Sequence, residues 1–533
     1  MSVGSLAHSE LGGPSRARRA LRECVHISPV TVTLTGLAGI AAALRFYGLG
    51  HQGFWFDEAN TALLVHLSPG KMLGLIPQTE STPPLYYCLA WVWARVFGYG
   101  EAGLRSLSAL AGVLVVPVAY AATAKLISRR AGVIAAALTA CNPFLIWYSQ
   151  EARSYELLVL LTGVALLAFT YARAAPSRRT LAIWVLTCAL ALATHYYAVL
   201  AIVPQAVWLL IEHRDKRPVR IAVGAVLACG LALIPLALSQ NATGHDRWIA
   251  STPLGPRLAQ ILPQFLIGTG TPARTPLKLL ALALVLVALA GLATRARSAE
   301  RRPALLAGSL AVGGLGLNLT LVAVGVDDLI TRNVIAIWLP AAMLVAGGLA
   351  VPRARRIGAI ATVALCAIGV TAAVGVAADR SLQRPDWRVV AHVLGPPPKL
   401  PGAGRAILIQ HYRDLLPLSL YLPHLTVLRS RSATVSRLDI ISIRSPQQPL
   451  CWWGAACNLI PSQMQRSYDV PGFHFAWLRR ARQFTIMQLV SDHPVLLTRV
   501  AVSAALTTTS LRRDVLLIQR PAPETRVRTA SSG

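Results

Sequence analysis

The sequence predicts an all-α polytopic membrane protein that carries a small α/β domain after its last span. The chain is 54% hydrophobic and only 14% charged, whereas soluble globular chains carry about 25% charged residues. Long, mostly apolar runs recur from residue 30 to residue 377, and runs of about 18 residues or more are typical of membrane-spanning helices. Beyond Ala378 the composition becomes mixed, with strand-like pieces at 405–410 and 514–518.

The apolar runs predict about eleven transmembrane helices. Alternate loops between them carry basic clusters, such as Arg129 with Arg130 and Arg355 with Arg356, and the positive-inside rule places such loops in the cytoplasm. This distribution explains the net charge of +29. The sequence shows no basic groove interleaved with aromatic residues, which argues against nucleic-acid binding. The predicted spans lie near 30–49, 102–125, 131–148, 155–172, 180–194, 196–211, 219–238, 277–294, 303–325, 333–351 and 357–377.

This orientation divides the chain into four parts. They are a cytoplasmic N-terminal tail (1–29), a transmembrane domain (30–378), an extracytoplasmic α/β domain (379–520) and a disordered tail (521–533). The apolar segment 83–97 is too short to span, so we expect an interfacial helix within an outer loop 50–101. Cys451 and Cys457 are expected to form a disulfide, because an extracytoplasmic location permits one; two unpaired core cysteines are the alternative.

Two adjacent carboxylates, Asp57 and Glu58, follow three aromatic residues where the chain leaves the first span. Carboxylates at a membrane boundary are costly to desolvate and mark candidate functional sites. A solvated helix start with an interfacial aromatic belt is the alternative. The spans contain almost no ionisable groups at mid-depth, which a coupled transporter would need. Polar chemistry confined to one face favours an enzyme that acts on a lipid-borne substrate.

Several motifs occur in a fixed order along the chain. They are Phe56-Asp57-Glu58, Ser81-Thr82-Pro83-Pro84-Leu85-Tyr86-Tyr87, Glu101 with Leu104-Arg105-Ser106-Leu107-Ser108, Trp147-Tyr148-Ser149-Gln150-Glu151-Ala152-Arg153-Ser154-Tyr155, His195-Tyr196-Tyr197, Thr331-Arg332-Asn333 and Arg384-Pro385-Asp386-Trp387-Arg388. Together they resemble the GT-C fold glycosyltransferases, in the branch of the protein O-mannosyltransferases and the lipid A aminoarabinose transferase. The resemblance covers residues 30–390. This sequence departs from the family pattern at Thr82, where many relatives have His before the Pro-Pro pair.

The resemblance implies a polyprenyl-phosphate-linked sugar as donor, mannose in the first instance, and transfer on the extracytoplasmic side of the plasma membrane. Separately, the Ala- and Arg-rich, Lys-poor composition is typical of a GC-rich bacterial genome. It also implies a catalytic carboxylate in the first outer loop, which matches Asp57. Inverting transfer needs a base for the acceptor hydroxyl, and a carboxylate held among rings near lipid has the raised proton affinity that suits this role. We expect Asp57 to be that base and Glu58 to orient it or to contact a metal or the acceptor; the reverse assignment stays open.

A lipid phosphate leaving group calls for guanidinium groups nearby, so Arg153 and Arg332 are candidate phosphate-binding residues. His195 is a third candidate, which could bind the phosphate or the sugar. Snorkelling arginines and an interfacial histidine are the alternatives. Segment 239–276 is expected to be a long outer loop without regular structure that forms a mobile cover over the donor, with simple disorder as the alternative. No cofactor or metal is assigned, although a divalent cation at Asp327-Asp328 is left open. The remaining candidate substrate-binding residues are Glu80, Tyr86, Gln150, Glu151, Tyr155, Tyr196 and His245.

The expected partners are the polyprenyl-phosphate sugar, an acceptor and membrane lipids. The acceptor is a cell-envelope glycolipid, a polysaccharide or a protein. Two other functions remain as rivals: a lipid-linked sugar flippase or exporter, and an inactive GT-C scaffold. A flippase requires polar residues threaded through the bilayer, whereas a scaffold does not require the Asp57 carboxylate.

Overall fold

The computed structural model describes residues 28–398, 404–409, 412–429, 432–443, 470–498, 500–502 and 515–520. A helical bundle extends to Ala378, and a mixed α/β domain follows it. Cys451, Cys457 and the tail 521–533 lie outside the described residues.

The described part of the bundle consists of helices with short connections. The first half contains α1 Pro29–Phe46, α2 Phe56–Val65, α3 Pro69–Thr79, α4 Leu85–Phe97, α5 Glu101–Leu126, α6 Arg129–Cys141, α7 Pro143–Ser149, α8 Tyr155–Ala174 and α9 Arg178–Thr194. The second half contains α10 Val199–His213, α11 Arg217–Ala232, α12 Ile234–Ala242, α13 Arg247–Ala250, α14 Leu254–Ile267, α15 Arg274–Thr294, α16 Ser298–Ala323, α17 Trp338–Leu349 and α18 Arg355–Ala378. Short 3₁₀ helices at Tyr196–Ala198, Thr331–Ile337, Pro352–Ala354 and Arg380–Leu382 adjoin them.

The predicted membrane-spanning bundle is confirmed. In the described residues, nine helices are long and apolar enough to cross a membrane, or ten if the bent pair α6–α7 forms one span. The remaining predicted span, near 180–194, corresponds to α9, whose 17 residues make it slightly shorter than those helices. The 56° bend between α6 and α7 has a local cause, because Pro143 cannot continue the hydrogen-bond ladder of α6. Asn142 instead caps α7 by accepting a hydrogen bond from the Leu145 amide at 3.0 Å.

The first loop is folded into three helices, α2 to α4, which share a small apolar core around Phe54, Met72, Tyr86 and Tyr87. α4 is the separate short helix that the sequence predicted for segment 83–97. α2 starts with Asp57 and Glu58 in its first turn, where negative charge favours the helix N-terminus. The loop therefore presents a compact surface at one end of the bundle, called the loop face below.

The expectation that segment 239–276 lacks regular structure is wrong. α12 continues to Ala242, and α13 and α14 follow it. Pro253 directly precedes α14, and Gly268 ends it with a φ of 75°. Proline is common at the start of a helix, and glycine in the left-handed region is common just after its end. Both residues are also common in loops, so they do not distinguish a loop from a series of short helices. α14 packs against α7 and α15, so this segment is part of the bundle.

The domain after the last span is built on a six-stranded sheet in the order β2-β6-β1-β3-β5-β4. β1 pairs in parallel with β3 and antiparallel with β6, and both predicted strands, at 405–410 and 514–518, are confirmed as β1 and β6. Helices α19 Trp387–Leu394 and α20 Leu415–Tyr421 pack on the sheet. The strands are β1 Gly404–Ile409, β2 Leu425–Val427, β3 Ser432–Ile443, β4 His474–Ala481, β5 Phe484–Thr498 and β6 Val515–Gln519.

Two glycines of α16 allow a test of the helix packing. A Cβ on Gly314 would lie 2.4 Å from the Leu200 carbonyl oxygen and 2.6 Å from Ile337 Cγ2, whereas a Cβ on Gly316 would meet nothing within 4 Å. We expect Gly314→Ala to lower the free energy of unfolding by about 1–3 kcal/mol, since overpacking must displace α10 or the Thr331–Ile337 helix. Gly316→Ala, the matched control, should leave it unchanged or slightly higher. Thermal unfolding in detergent micelles measures both, and equal midpoints would contradict this packing.

Candidate active site

A cavity of about 530 Å³ lies at the loop face. Its walls come from α2 and the end of α3, the start of α8, the 3₁₀ helix Tyr196–Ala198, α12 and segment 326–333. The polar groups of the cavity therefore come from segments that are distant in sequence. They include Asp57, Asn60, Glu80, Arg153, His195, His245, Asp246, Asp328, Arg332 and Arg413.

Asp57 and Arg332 form the central charged pair of this cavity. Arg332 Nη1 donates to Asp57 Oδ2 at 3.0 Å, and the side chains of Arg332 and Asp57 remain 21% and 15% exposed. The guanidinium carbon of Arg332 lies 6.0 Å from the Tyr155 ring centre and 5.9 Å from that of Trp248. The pair is thus held by aromatic rings but stays open to a ligand in the cavity.

A second, more deeply buried pair lies beside the first. Arg153 Nη1 donates to Glu80 Oε2 at 2.8 Å and to the backbone carbonyl of Asp57 at 3.3 Å. Asn60 Nδ2 donates to Glu80 Oε1 at 2.7 Å. Burial raises the pKa of Glu80, and the Arg153 guanidinium offsets only part of this effect. Arg153 therefore connects α8 to the first turn of α2 and helps to place the Asp57 backbone.

Glu58 has a different position from Asp57. Its carboxylate is fully buried and receives hydrogen bonds from Arg105 Nε and Nη2 at 2.7 and 2.6 Å and from the Ala152 amide at 2.9 Å. Burial favours the neutral form, but the Arg105 guanidinium outweighs it and holds the pKa of Glu58 below its ordinary value. Glu58 does not line the cavity. This position corrects the expectation that Glu58 contacts a metal or the acceptor and gives it an anchoring role.

His195 lines the cavity as a neutral side chain. Burial, followed by repulsion from Arg153 and Arg332, lowers its pKa to about 3. The Tyr197 amide lies 3.2 Å from Nδ1, which therefore accepts a hydrogen bond. We assign the ring proton to Nε2, because a neutral imidazole that accepts at one nitrogen donates at the other. His195 is thus a hydrogen-bond donor and carries no positive charge of its own.

Three other predicted substrate-binding residues also line the cavity. Tyr155 lies between His195 and Arg332. Tyr196 donates to Gln240 Oε1 at 2.7 Å, and this bond connects the 3₁₀ helix to α12. His245 lies beside Asp246 in the turn between α12 and α13, in the segment for which the sequence predicted a cover.

Tyr86, Gln150 and Glu151 are not at the cavity, which corrects their assignment as substrate-binding residues. The Tyr86 hydroxyl is buried against Ser108 at 3.2 Å. Gln150 Nε2 donates to three backbone carbonyls at the end of α1. Glu151 is buried and accepts a hydrogen bond from Arg384 at 2.9 Å. Consecutive residues in the turn after α7 point in different directions, so only Arg153 reaches the cavity.

Sequence reasoning missed Asn60, Gln240 and Arg413, which also line the cavity. Asn60 follows Asp57 by one helical turn, a spacing that places both on one face of α2 and was visible in the sequence. Arg413 comes from the α/β domain, and no sequence signal connected it to the first loop.

Asp327 and Asp328 do not converge on a common point. Arg257 Nη1 and Nη2 donate to the two oxygens of Asp327 at 2.6 and 2.7 Å. Asp328 Oδ2 accepts a hydrogen bond from the Tyr197 hydroxyl at 2.9 Å. No group of three or more His, Cys, Asp or Glu side chains suited to a metal ion occurs in the described part of the chain. The aspartates serve to fix segment 326–333, which carries Arg332, to neighbouring helices.

The buried Glu151 carboxyl predicts a pH-dependent stability. Burial raises its pKa from 4.5 to about 7 despite the nearby Arg384. Because the folded state binds this proton more tightly than the unfolded state, the stabilisation is complete below the ordinary pKa and is lost as the pH rises through about 7. We expect wild type to lose stability relative to Glu151→Gln between pH 5 and pH 8. Thermal unfolding of both proteins across this range measures the difference, and parallel curves would contradict the prediction.

Comparisons with known proteins agree with this architecture. Residues 81–239 match the family model described as dolichyl-phosphate-mannose-protein mannosyltransferase. No curated protein sequence matches the chain. The structure is similar to ArnT from Cupriavidus metallidurans in the apo state, with a TM-score of 0.54 and 13% identity over 86% of this chain and 98% of ArnT.

Two further solved structures are similar to lower degrees. ArnT from the same organism bound to undecaprenyl phosphate has a TM-score of 0.50 and 14% identity over 85% of this chain and 97% of that chain. The Pmt1-Pmt2 protein O-mannosyltransferase complex of S. cerevisiae has a TM-score of 0.32 and 14% identity over 43% and 35% of the respective chains.

The two ArnT likenesses show the fold. The resemblance carried by the sequence motifs is confirmed. The chain therefore has the GT-C fold of these two ArnT structures, and its segment 81–239 matches the mannosyltransferase family model.

Proposed function

We propose that this protein transfers a sugar, mannose in the first instance, from a polyprenyl monophosphate to a hydroxyl group of an acceptor at the loop face, with Asp57 as general base. One observation carries the proposal: a carboxylate and a guanidinium, Asp57 and Arg332, face one cavity whose other wall is apolar. The family model that matches residues 81–239 supports mannose. The acceptor is a glycolipid, polysaccharide or protein of the cell envelope.

The apolar wall fits the lipid chain of the donor. Leu233, Ile234, Ala237 and Leu238, around the junction of α11 and α12, line the cavity. Ile234 and Leu238 are also exposed on the outer surface of the bundle, by 45% and 64%. The cavity therefore reaches the side of the bundle that would face lipid, so an isoprenoid chain could lie there while its phosphate enters the polar end. ArnT, of the same fold, has been solved bound to undecaprenyl phosphate.

The donor phosphate fits between Arg332, Arg153 and His195. Within the described part of the chain, the Nε groups of Arg332 and Arg153 are buried without a hydrogen-bond partner. Buried N–H groups are rarely left unpaired in native proteins, so unpaired donors beside a cavity indicate a ligand that accepts from them. Guanidinium groups bind phosphate oxygens through charge-assisted hydrogen bonds. The neutral His195 adds a donor without adding charge.

The geometry supports a single-displacement reaction. The donor phosphate competes with Asp57 for Arg332 and leaves Asp57 Oδ2 free to accept the proton of the acceptor hydroxyl. The hydroxyl oxygen then forms the new bond to the anomeric carbon as the bond from that carbon to the phosphate oxygen breaks. The phosphate leaves with the bonding electron pair, and its negative charge is stabilised by Arg332 and Arg153. Attack opposite to the leaving phosphate inverts the anomeric configuration.

The loop face is proposed to be extracytoplasmic. The basic pair Arg129 and Arg130 lies at the start of α6, beside Arg355 at the start of α18, since Arg130 Nη2 donates to the Arg355 carbonyl at 2.8 Å. α6 and α18 run from this basic end toward the loop face. Under the positive-inside rule the basic end is cytoplasmic, so the cavity opens on the opposite side of a bacterial plasma membrane.

Asp57→Asn tests the base. We expect at least about a 100-fold loss of sugar transfer, since the amide cannot take the proton of the acceptor hydroxyl. Asp379→Asn is the matched control, because Asp379 is exposed and bonds only within its own turn to Ser381. Both variants and wild type are assayed in membranes at equal expression, with radiolabelled polyprenyl-phosphate mannose, glucose and aminoarabinose in parallel. Transfer that survives Asp57→Asn would overturn the assignment, and no transfer of any sugar by wild type would favour the scaffold.

Arg332→Gln tests the phosphate site without catalysis. A ligand that binds only the folded state raises the unfolding midpoint in proportion to its occupancy. We expect undecaprenyl phosphate to raise the midpoint of wild type and of Arg173→Gln, whose arginine pairs with Glu212 away from the cavity. Arg332→Gln should lose most of that rise while retaining a similar midpoint without ligand. An equal ligand effect in all three proteins would argue against phosphate binding by Arg332.

A further inference from the structure

The loop immediately before Asp57 is bound by the α/β domain. The Gly53 amide donates to Asp386 Oδ1 at 2.9 Å, and the Phe54 amide donates to the Tyr421 hydroxyl at 2.6 Å. Asp386 directly precedes α19, and Tyr421 is the last residue of α20. Two successive backbone amides of the first loop therefore have their acceptors in another domain.

Both acceptors are themselves held in place. The Tyr421 hydroxyl donates to Glu101 Oε1 at 2.8 Å, and Arg388 Nη1 donates to the same oxygen at 3.3 Å. Asp386 is fully buried and forms an ion pair with Arg482. Because the Tyr421 hydroxyl both accepts and donates, each of its bonds orients the other. The domain thus offers the loop two fixed acceptors.

The contact at Gly53 leaves no room for a side chain. A Cβ at this position would lie 2.6 Å from Asp386 Oδ1, 2.9 Å from Arg388 Cβ and 3.0 Å from the Tyr421 hydroxyl oxygen. Such separations are shorter than van der Waals contact. Glycine at this position therefore permits the loop backbone to approach the domain, which is one of the structural roles of that residue.

The bundle holds the same loop from the other side. Arg105 donates to the backbone carbonyls of Leu49, Gln52 and Gly53 at 2.7, 2.9 and 3.1 Å, in addition to its pair with Glu58. Segment 49–54 is therefore clamped between one arginine of α5 and two side chains of the α/β domain. Asp57 follows this segment in the first turn of α2, so its position depends on both sides of the clamp.

The domain also reaches the cavity itself. Arg413 and Leu416 line it. The Arg413 guanidinium carbon lies 5.0 Å from the centre of the Phe56 ring, and its Nη2 donates to the His245 carbonyl at 2.7 Å. One side chain of the domain therefore contacts both the residue before Asp57 and the turn between α12 and α13.

We propose that the α/β domain is a component of the catalytic unit: Asp386 and Tyr421 position Asp57 through the backbone of Gly53 and Phe54. This inference rests on the proposed role of Asp57 as base. Asp386 and Tyr421 are positioning residues, since they act through the loop backbone. Reaction rates depend steeply on the placement of the reacting groups, so a loosened loop lowers kcat while the phosphate site and its affinity persist.

Tyr421→Phe removes one hydroxyl and retains the aromatic ring, so the domain is expected to fold. The variant loses the acceptor of the Phe54 amide and the hydrogen bond to Glu101 that orients this acceptor. The loosened loop should lower kcat about three- to tenfold, with KM for the donor within about twofold of wild type. Ser419→Ala is the matched control, because it removes a hydroxyl from the same helix that donates only to Leu416. Gly53→Ala should lower kcat further, since its methyl group separates the loop from the domain.

Amide hydrogen exchange of the full-length protein in detergent supplies a readout independent of turnover. Exchange in a peptide covering residues 50–57 should accelerate in Tyr421→Phe and remain at the wild-type rate in Ser419→Ala, while peptides from the rest of the bundle exchange at the wild-type rate in both variants. Unchanged exchange, or an effect on KM alone, would overturn the positioning role. If wild type transfers no sugar, the proposed function fails, while the exchange experiment still decides whether the domain holds the loop.

Discussion

Two opposite charges lie buried together beneath the first loop, and the arrangement of the site depends on them. Glu58 and Arg105 form a two-bond ion pair with side-chain exposures of 0% and 4%. Buried ion pairs are tolerated when further hydrogen bonds satisfy the remaining polar groups. That condition is met, because Arg105 also binds three loop carbonyls and Glu58 accepts from Ala152. Removing either partner would leave an unpaired charge in the interior at a cost of several kcal/mol.

This anchor explains why two adjacent carboxylates have different surroundings. Successive residues of an α-helix project about 100° apart, so Asp57 and Glu58 cannot face the same surroundings. Glu58 points inward to Arg105, and the same rotation leaves Asp57 facing the cavity and Arg332. A helix start with two acidic residues thus places one carboxylate in the structural core and the other at the cavity, without any special backbone geometry.

The cavity combines groups from parts of the chain that share no local motif. Arg153 lies in the turn before α8 and Arg332 in the 3₁₀ helix Thr331–Ile337, and each is fixed by a carboxylate. Segment 326–333 is itself fixed by the Arg257–Asp327 pair and the Tyr197–Asp328 hydrogen bond. The resulting site is polar at the loop face and apolar along α12. A ligand with a phosphate at one end and a lipid chain at the other matches this division.

The sequence by itself determined the features that depend on local composition. Apolar run length predicted the spans, and β-strand-like pieces predicted β1 and β6. The order of the motifs also identified Asp57, Arg153 and Arg332, which the structure brings to one cavity. A hydrophobic run or a short motif can be recognised without knowing what it packs against.

Only the tertiary structure decided which polar groups pair. The helices within segment 239–276 were missed because Pro and Gly mark both helix ends and loops. Glu151 was expected at the substrate, but Arg384 lies next to it in the fold. The hydrogen bond from Phe54 to Tyr421 joins residues far apart in sequence. The energy of such a contact depends on burial and on geometry set by the whole fold, so no local sequence pattern encodes it.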